Sequence, residues 1–105
     1  MKETIERIRK FREDREWDQF HTPANLSKAI SIEANELLEN FLWDEESYNL
    51  QAVKEELADV LVYGVHMADA LDVNIEEIIN MKMDKNEKKY PVEKAKGNAK
   101  KYTEL

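Results

Sequence analysis

Between Pro23 and Pro91 the sequence holds a single glycine, Gly64, and no further proline. Sheets need frequent turns, and turns draw on glycine and proline for their special backbone angles. A stretch this long with so few breakers is restricted to helices joined by short corners. The apolar residues agree. Ile5, Ile8, Phe11 and Arg12 fall at helical spacing and predict a first helix over 2–16, broken by EWDQFHTP (16–23). Thr22 then suits an N-cap, and Pro23 suits the first helical position, where a missing N–H costs nothing.

From there a second helix is expected to about residue 42, with Leu26, Ala29, Ile30, Leu37 and Phe41 on one stripe. The acidic WDEESYNL (43–50) reads as a loop. A third helix over 51–71 carries Val53, Leu57, Val60, Leu61, Gly64 and Ala68 inward. Asn74 and Glu77 have capping-box spacing and open a fourth helix, which Pro91 ends near Tyr90. Four amphipathic helices with short connections predict an all-α, antiparallel four-helix bundle. Residues 1–91 form its single domain, and the lysine-rich 92–105 reads as a loosely packed tail.

The remaining composition narrows the function. A net charge of −7 argues against nucleic-acid binding, which draws on cationic contacts to phosphates. No apolar run approaches the ~20 residues that span a bilayer, so no membrane partner is expected. The charged opening MKETIERIRK is unlike a secretory signal, and the lack of cysteine fits a cytoplasmic protein.

Against this background Glu33 is anomalous: it lies four and three residues after Ala29 and Ile30, on the apolar stripe. Residues three apart on a helix are separated by about 60°, so Glu33 and Glu36 point the same way. Glu56 and Asp59 repeat the pattern on the third helix, flanked by Leu57 and Val60. One such pair is usually a solvated face. Two pairs on the apolar sides of adjacent helices would repel and lose hydration unless cations or protons neutralise them. A hard divalent cation, Mg²⁺ above all, suits such an oxygen set. A di-iron carboxylate site would need Glu-x-x-His on two helices. His66 instead follows Tyr63, and His21 follows Asp18 just before a proline.

Lys82, Asn86 and Lys89 share one line of the fourth helix, continuing the stripe of Ile75, Ile78 and Ile79. Two ammonium groups and an amide opposite a carboxylate–metal cluster suit a polyphosphate. Trp17 and Trp43 stand at the junctions around the second helix, where a ring can stack on a nucleobase or simply fill a core. His21 is either a base contact or a neighbour of the helix cap.

Taken together, Glu33-x-x-Glu36 and Glu56-x-x-Asp59 resemble the signature of the MazG-like all-α nucleoside triphosphate pyrophosphohydrolases. REWDQFHTPANL (15–26), EANELLENFLW (33–43), EELADVLVYGVHMAD (55–69), KMDKNEKKYP (82–91) and KYTEL narrow the resemblance to the dCTP pyrophosphatase branch, over essentially the whole chain. The resemblance implies cleavage between the α- and β-phosphates of a (deoxy)nucleoside triphosphate, dCTP or a related pyrimidine, with Mg²⁺ or Mn²⁺ in its place. It implies Glu33, Glu36, Glu56 and Asp59 as metal ligands, with Glu36 and Glu33 serving the catalytic water. Trp17, His21, Trp43 and Tyr63 would surround the nucleoside, and Lys82, Asn86, Lys89 and Tyr90 would face the phosphates. A homodimer or a homotetramer built as a dimer of dimers is the implied assembly. The 43–55 connection is shorter and more acidic than the branch's longer forms and adjoins Trp43. Two alternatives remain: another nucleotide in the same site (dUTP, a non-standard or a phosphoribosyl-linked one), or a non-catalytic helical module holding a structural ion.

Overall fold

The computed structural model describes residues 1–105 and contains helices and no strand. Helix α1 spans Lys2–Asp14, α2 Pro23–Glu39, α3 Leu50–Ala70, α4 Ile75–Lys89, and α5 is one turn, Val92–Ala95. Single 3₁₀ turns cover Asp18–Phe20 and Tyr102–Glu104. The chain divides into two compact units, residues 1–72 and 73–105.

In the first unit α2 and α3 form an antiparallel hairpin. Pairings along it run in opposite senses: His21 meets His66, and Phe41 meets Tyr48 (ring centroids 4.6 and 4.8 Å apart). Helix α1 packs against α3. The fully covered interior is small: Leu26, Val65 and Ala68, joined by two polar residues, Arg12 and His66.

Helix boundaries follow from their caps. Thr22 Oγ1 accepts from Asn25 N–H at 3.1 Å, with Pro23 in the first turn as expected. Asn49 Oδ1 does the same for Ala52 N–H at 3.1 Å, so α3 starts at Leu50, one residue earlier than its sequence suggests. Asn74 Oδ1 accepts from Glu77 N–H at 3.0 Å and opens α4.

Two helices stop short of their expected ends. Helix α1 closes at Asp14 instead of 16 because Glu16 takes a left-handed φ of 54°. Glu16 N–H then reaches Glu13 O (3.0 Å) and Trp17 N–H reaches Arg12 O (3.1 Å), the paired bonds of a Schellman end. The apolar contact that accompanies this motif is present too: Trp17 lies edge-on to Phe11 at 5.5 Å. Helix α2 ends at Glu39 instead of near 42, where the Asn40 amide donates to Glu36 O and Leu37 O at 3.1 and 3.3 Å. Asp44 Oδ1 accepts from Glu46 and Ser47 N–H and shapes the connection that follows.

Not all of the expected inward residues are covered. On α3, Val53, Val60 and Gly64 are half-buried and Ala68 is buried, whereas Leu57 and Leu61 are exposed. Ile32 and Leu38 of α2 are exposed as well. A two-helix hairpin can bury only one flank of each helix, and both helices here are apolar over a wider arc.

In the second unit Asn86 and Lys89 are half-buried and Lys82 is exposed. The stripe they were expected to continue is largely open, with Ile75 half-buried but Ile78 and Ile79 exposed. The segment after Pro91 folds back on the end of α4: the Tyr102 ring meets Tyr90 edge-on at 6.3 Å and lies under the Lys89 ammonium at 4.9 Å.

Candidate metal centre and a second polar cluster

The α2–α3 hairpin brings together the carboxylates that the spacing singled out. One oxygen from each of Glu33, Glu56 and Asp59 lies within 4.8 Å of the others. Glu36 is within hydrogen-bonding reach of both Glu33 and Glu56. No basic side chain forms an ion pair with any of the four; the first unit's ion pairs are made by Arg9, Lys10 and Arg12 elsewhere.

Such an arrangement holds protons strongly. Loss of hydration, then the Glu36 contact, then the charges of Asp59 and Glu56 push the Glu33 carboxyl up from 4.5 to about 7. Glu56 is raised for the same reasons in the same order: lost hydration, then Glu36 and the other carboxylates. Oε2 of Glu33 and Oε2 of Glu56 are buried without a hydrogen-bond partner. Orphaned acceptors in a group of like charges fit a hard divalent cation, which supplies the missing partner and charge at once. The donor set is all oxygen and has no histidine, so it suits Mg²⁺ geometry better than a redox metal.

The other expected residues are placed differently. Tyr63 is half-buried on α3, its ring edge-on to His66 at 5.8 Å. Trp17 sits on the Schellman end of α1 with its ring about half exposed. Trp43 is 93% exposed in the α2–α3 connection and makes no ring contact. Lys82, Asn86, Lys89 and Tyr90 belong to the second unit.

His21 belongs to a second cluster. Buried Arg12 donates from one terminal nitrogen to Asp69 Oδ2 (2.8 Å) and to His66 Nδ1 (3.0 Å). Its Nε stands 2.7 Å from Asp18 Oδ1, close enough for ion pairing but not aligned as a hydrogen bond. Arg9 adds a two-pronged pair to Asp69 at 2.8 and 3.0 Å. Burial works to raise the Asp69 carboxyl, but the Arg9 and Arg12 donors outweigh it and hold it below its ordinary value. Burial, then His21 and Arg12, push His66 down to about 4, and burial and Arg12 lower His21. Both imidazoles are therefore neutral at pH 7. Arg12, Asp18, His21, His66, Asp69 and Ala70 line a cavity of about 140 Å³.

Of this cluster the sequence singles out Arg12, by its place among Ile5, Ile8 and Phe11, and His21, as a base contact or a neighbour of the helix cap. Nothing in the spacing pairs Arg12 with Asp69, 57 residues away.

Comparison with known proteins agrees over most of the chain. The MazG-like family matches residues 28–105. A dCTP pyrophosphatase 1 from Bos taurus is 40% identical, and the human one 37%, each over 97% of this chain and 68% of the relative. The crystal structure of a pyrophosphatase from Archaeoglobus fulgidus DSM 4304 superposes with a TM-score of 0.78 at 42% identity. That match covers 87% of this chain and 92% of the other.

Proposed function

Because this chain belongs to the MazG-like family, with its all-α fold, we propose that it is a nucleotide pyrophosphohydrolase acting on dCTP or a closely related pyrimidine triphosphate. The observation that carries this reading is the four-carboxylate centre on α2 and α3, with its two orphaned buried oxygens. A cluster that repels itself without a cation is built to receive one, and Mg²⁺ is the assignment here. When bound, the ion offsets triphosphate charge and polarises the phosphoryl group under attack.

Glu33, Glu36, Glu56 and Asp59, two from each of two packed helices, would hold that ion. Glu36 touches both Glu33 and Glu56 and has a share in positioning the attacking water. With no cysteine in the chain and no Ser–His contact, direct water attack is favoured over a covalent intermediate. It breaks the bond between the α- and β-phosphates and yields monophosphate and pyrophosphate.

Trp17, His21, Tyr63 and Trp43 are assigned to the nucleoside, and Lys82, Asn86, Lys89 and Tyr90 to the phosphates. Residues 1–91 are the catalytic domain, with 92–105 as its tail. The chain acts as a homodimer or homotetramer in the cytoplasm. Ile32, Leu38, Leu57 and Leu61, all about half exposed or more, supply the apolar surface that a second copy would cover. No helix is long and apolar enough to cross a membrane.

A panel of nucleoside triphosphates with Mg²⁺, scored for pyrophosphate against orthophosphate, tests the reading. Pyrophosphate from dCTP above all others is expected. Orthophosphate alone, or no product from any nucleotide, would overturn it; pyrophosphate from purines equally well would overturn only the base assignment.

A further inference from the structure

Arg12 is 6% exposed, a charged side chain in an interior that otherwise holds little more than Leu26, Val65 and Ala68. Burying a guanidinium is expensive unless its partners are well placed. Its partners come from two other elements of the first unit: Asp69 and His66 on α3, and Asp18 on the 3₁₀ turn. The main chain of the same residue takes part, since Arg12 O receives Trp17 N–H in the Schellman end of α1. One residue thus grips the Trp17–His21 segment by its carbonyl at one end and by its side chain in the middle.

The far end of that segment is His21. Its ring rests against His66 at 4.6 Å, and its Nδ1 is buried without a partner. Guanidinium groups only donate, so Arg12 requires an acceptor at His66 Nδ1 and places the imidazole proton on Nε2. Tyr63 meets the His66 ring edge-on at 5.8 Å. His66 is held by Arg12 and Tyr63, and His21 is held by His66. None of Arg12, His66 or Asp69 belongs to the carboxylate centre.

We propose that Arg12 and His66 are positioning residues for nucleotide binding: their buried guanidinium–imidazole contact fixes His21, and Arg12 holds the Trp17 end through its carbonyl and its pairing with Asp18. The inference rests on the assignment of Trp17 and His21 to the nucleoside. It differs from that assignment in naming residues that need not touch the substrate.

Two variants and one spectrum test it. Arg12→Lys keeps the charge but replaces a fork with a single ammonium, which cannot serve Asp69, Asp18 and His66 together. His66→Phe keeps a ring against His21 and removes the Nδ1 acceptor. For Arg12→Lys the KM for dCTP should rise roughly tenfold with kcat within about twofold, a loss of binding and not of chemistry. His66→Phe should give a smaller rise of the same kind. The Mg²⁺ concentration dependence and the helical circular dichroism should stay unchanged in both. In the unmodified protein, imidazole ¹⁵N shifts should show His66 neutral with its proton on Nε2 at pH 7.

A proton on Nδ1, or a charged His66 at pH 7, would overturn the inference. So would an unchanged KM in a folded His66→Phe, which also decides the matter if Arg12→Lys does not fold. A wild-type protein that hydrolyses no nucleotide would instead remove the functional reading beneath it.

Discussion

Two polar clusters are built on α3 with opposite answers to buried charge. Glu56 and Asp59 meet Glu33 and Glu36 of α2, four acids with no base among them. About 15 Å further along the same helix, by its rise per residue, Asp69 and His66 meet Arg9 and Arg12. The second cluster is internally balanced: two guanidiniums face two carboxylates, Asp18 and Asp69, and both imidazoles are neutral. The first is balanced only with an ion or with bound protons. A balanced cluster can serve as scaffold; an unbalanced one has room for a counter-charge.

The sharpest way to break this comparison is to alter the unbalanced cluster. Asp59→Asn removes one ligand charge and should lower pyrophosphohydrolase activity by roughly 100-fold or more, the scale seen when a principal electrostatic contact is lost. Helical circular dichroism should be unchanged and stability without metal equal or higher, since a repelling charge is gone. Near-wild-type turnover at ordinary Mg²⁺ concentration would show that Asp59 does not hold the ion.

Mg²⁺ itself should separate the clusters next. An ion held only by the native centre stabilises by mass action, about 2.7 kcal/mol at a hundred times its Kd. Thermal melting with Mg²⁺ against chelator should show this shift at neutral pH, lose it in Asp59→Asn and keep it in Arg12→Lys. Equal melting curves with and without the ion would place both clusters in the same, self-sufficient class.

Trp43 serves as a control lying outside both. Trp43→Ala should leave the melting temperature nearly unchanged, because the ring is exposed and makes no ring contact. Nucleotide binding should weaken by ~1–3 kcal/mol if stacking is its contribution. Since stacking tolerates any base, the loss should be similar for all triphosphates, measured by titration in a catalytically silent background. His21→Ala should instead shift the ratio of dCTP to other triphosphates.

The smallest effect is on stability against pH, and there the two clusters have opposite signs. Glu33 is raised from 4.5 to about 7 in the fold, so its contribution is fully present below 4.5 and is lost as pH rises through 7. His66 is lowered from 6.5 to about 4, so the unfolded chain binds its proton first. Its contribution is present above 6.5 and is lost as pH falls through 4. In chelator, Glu33→Gln should make stability rise more steeply between pH 4.5 and 6.5, and His66→Phe should flatten it. Denaturant unfolding across that range, with the same slope for both variants, would refute the opposition.

Much of this was legible in the residues. Period and breakers locate the four long helices, and Thr22 and Asn74 mark the starts of α2 and α4, because each caps through a bond to an N–H group three residues away. The carboxylate centre was legible for a related reason: Glu33-x-x-Glu36 and Glu56-x-x-Asp59 each share a face by helical geometry, whatever the partner. What tertiary structure alone decided is which partners meet and which surfaces are covered. The ends of α1 and α2 depended on Glu16 accepting a left-handed backbone and on Asn40 turning back on its own helix, neither a property of apolar spacing. Leu57 and Leu61 read as core and are exposed, since periodicity marks an apolar face without saying what will cover it. The Arg12–His66–Asp69 contacts span more than fifty residues of chain, and only the packing of α1 on α3 brings those side chains together. Local geometry is written in short sequence intervals; the balance of charge between distant helices is a property of how they pack.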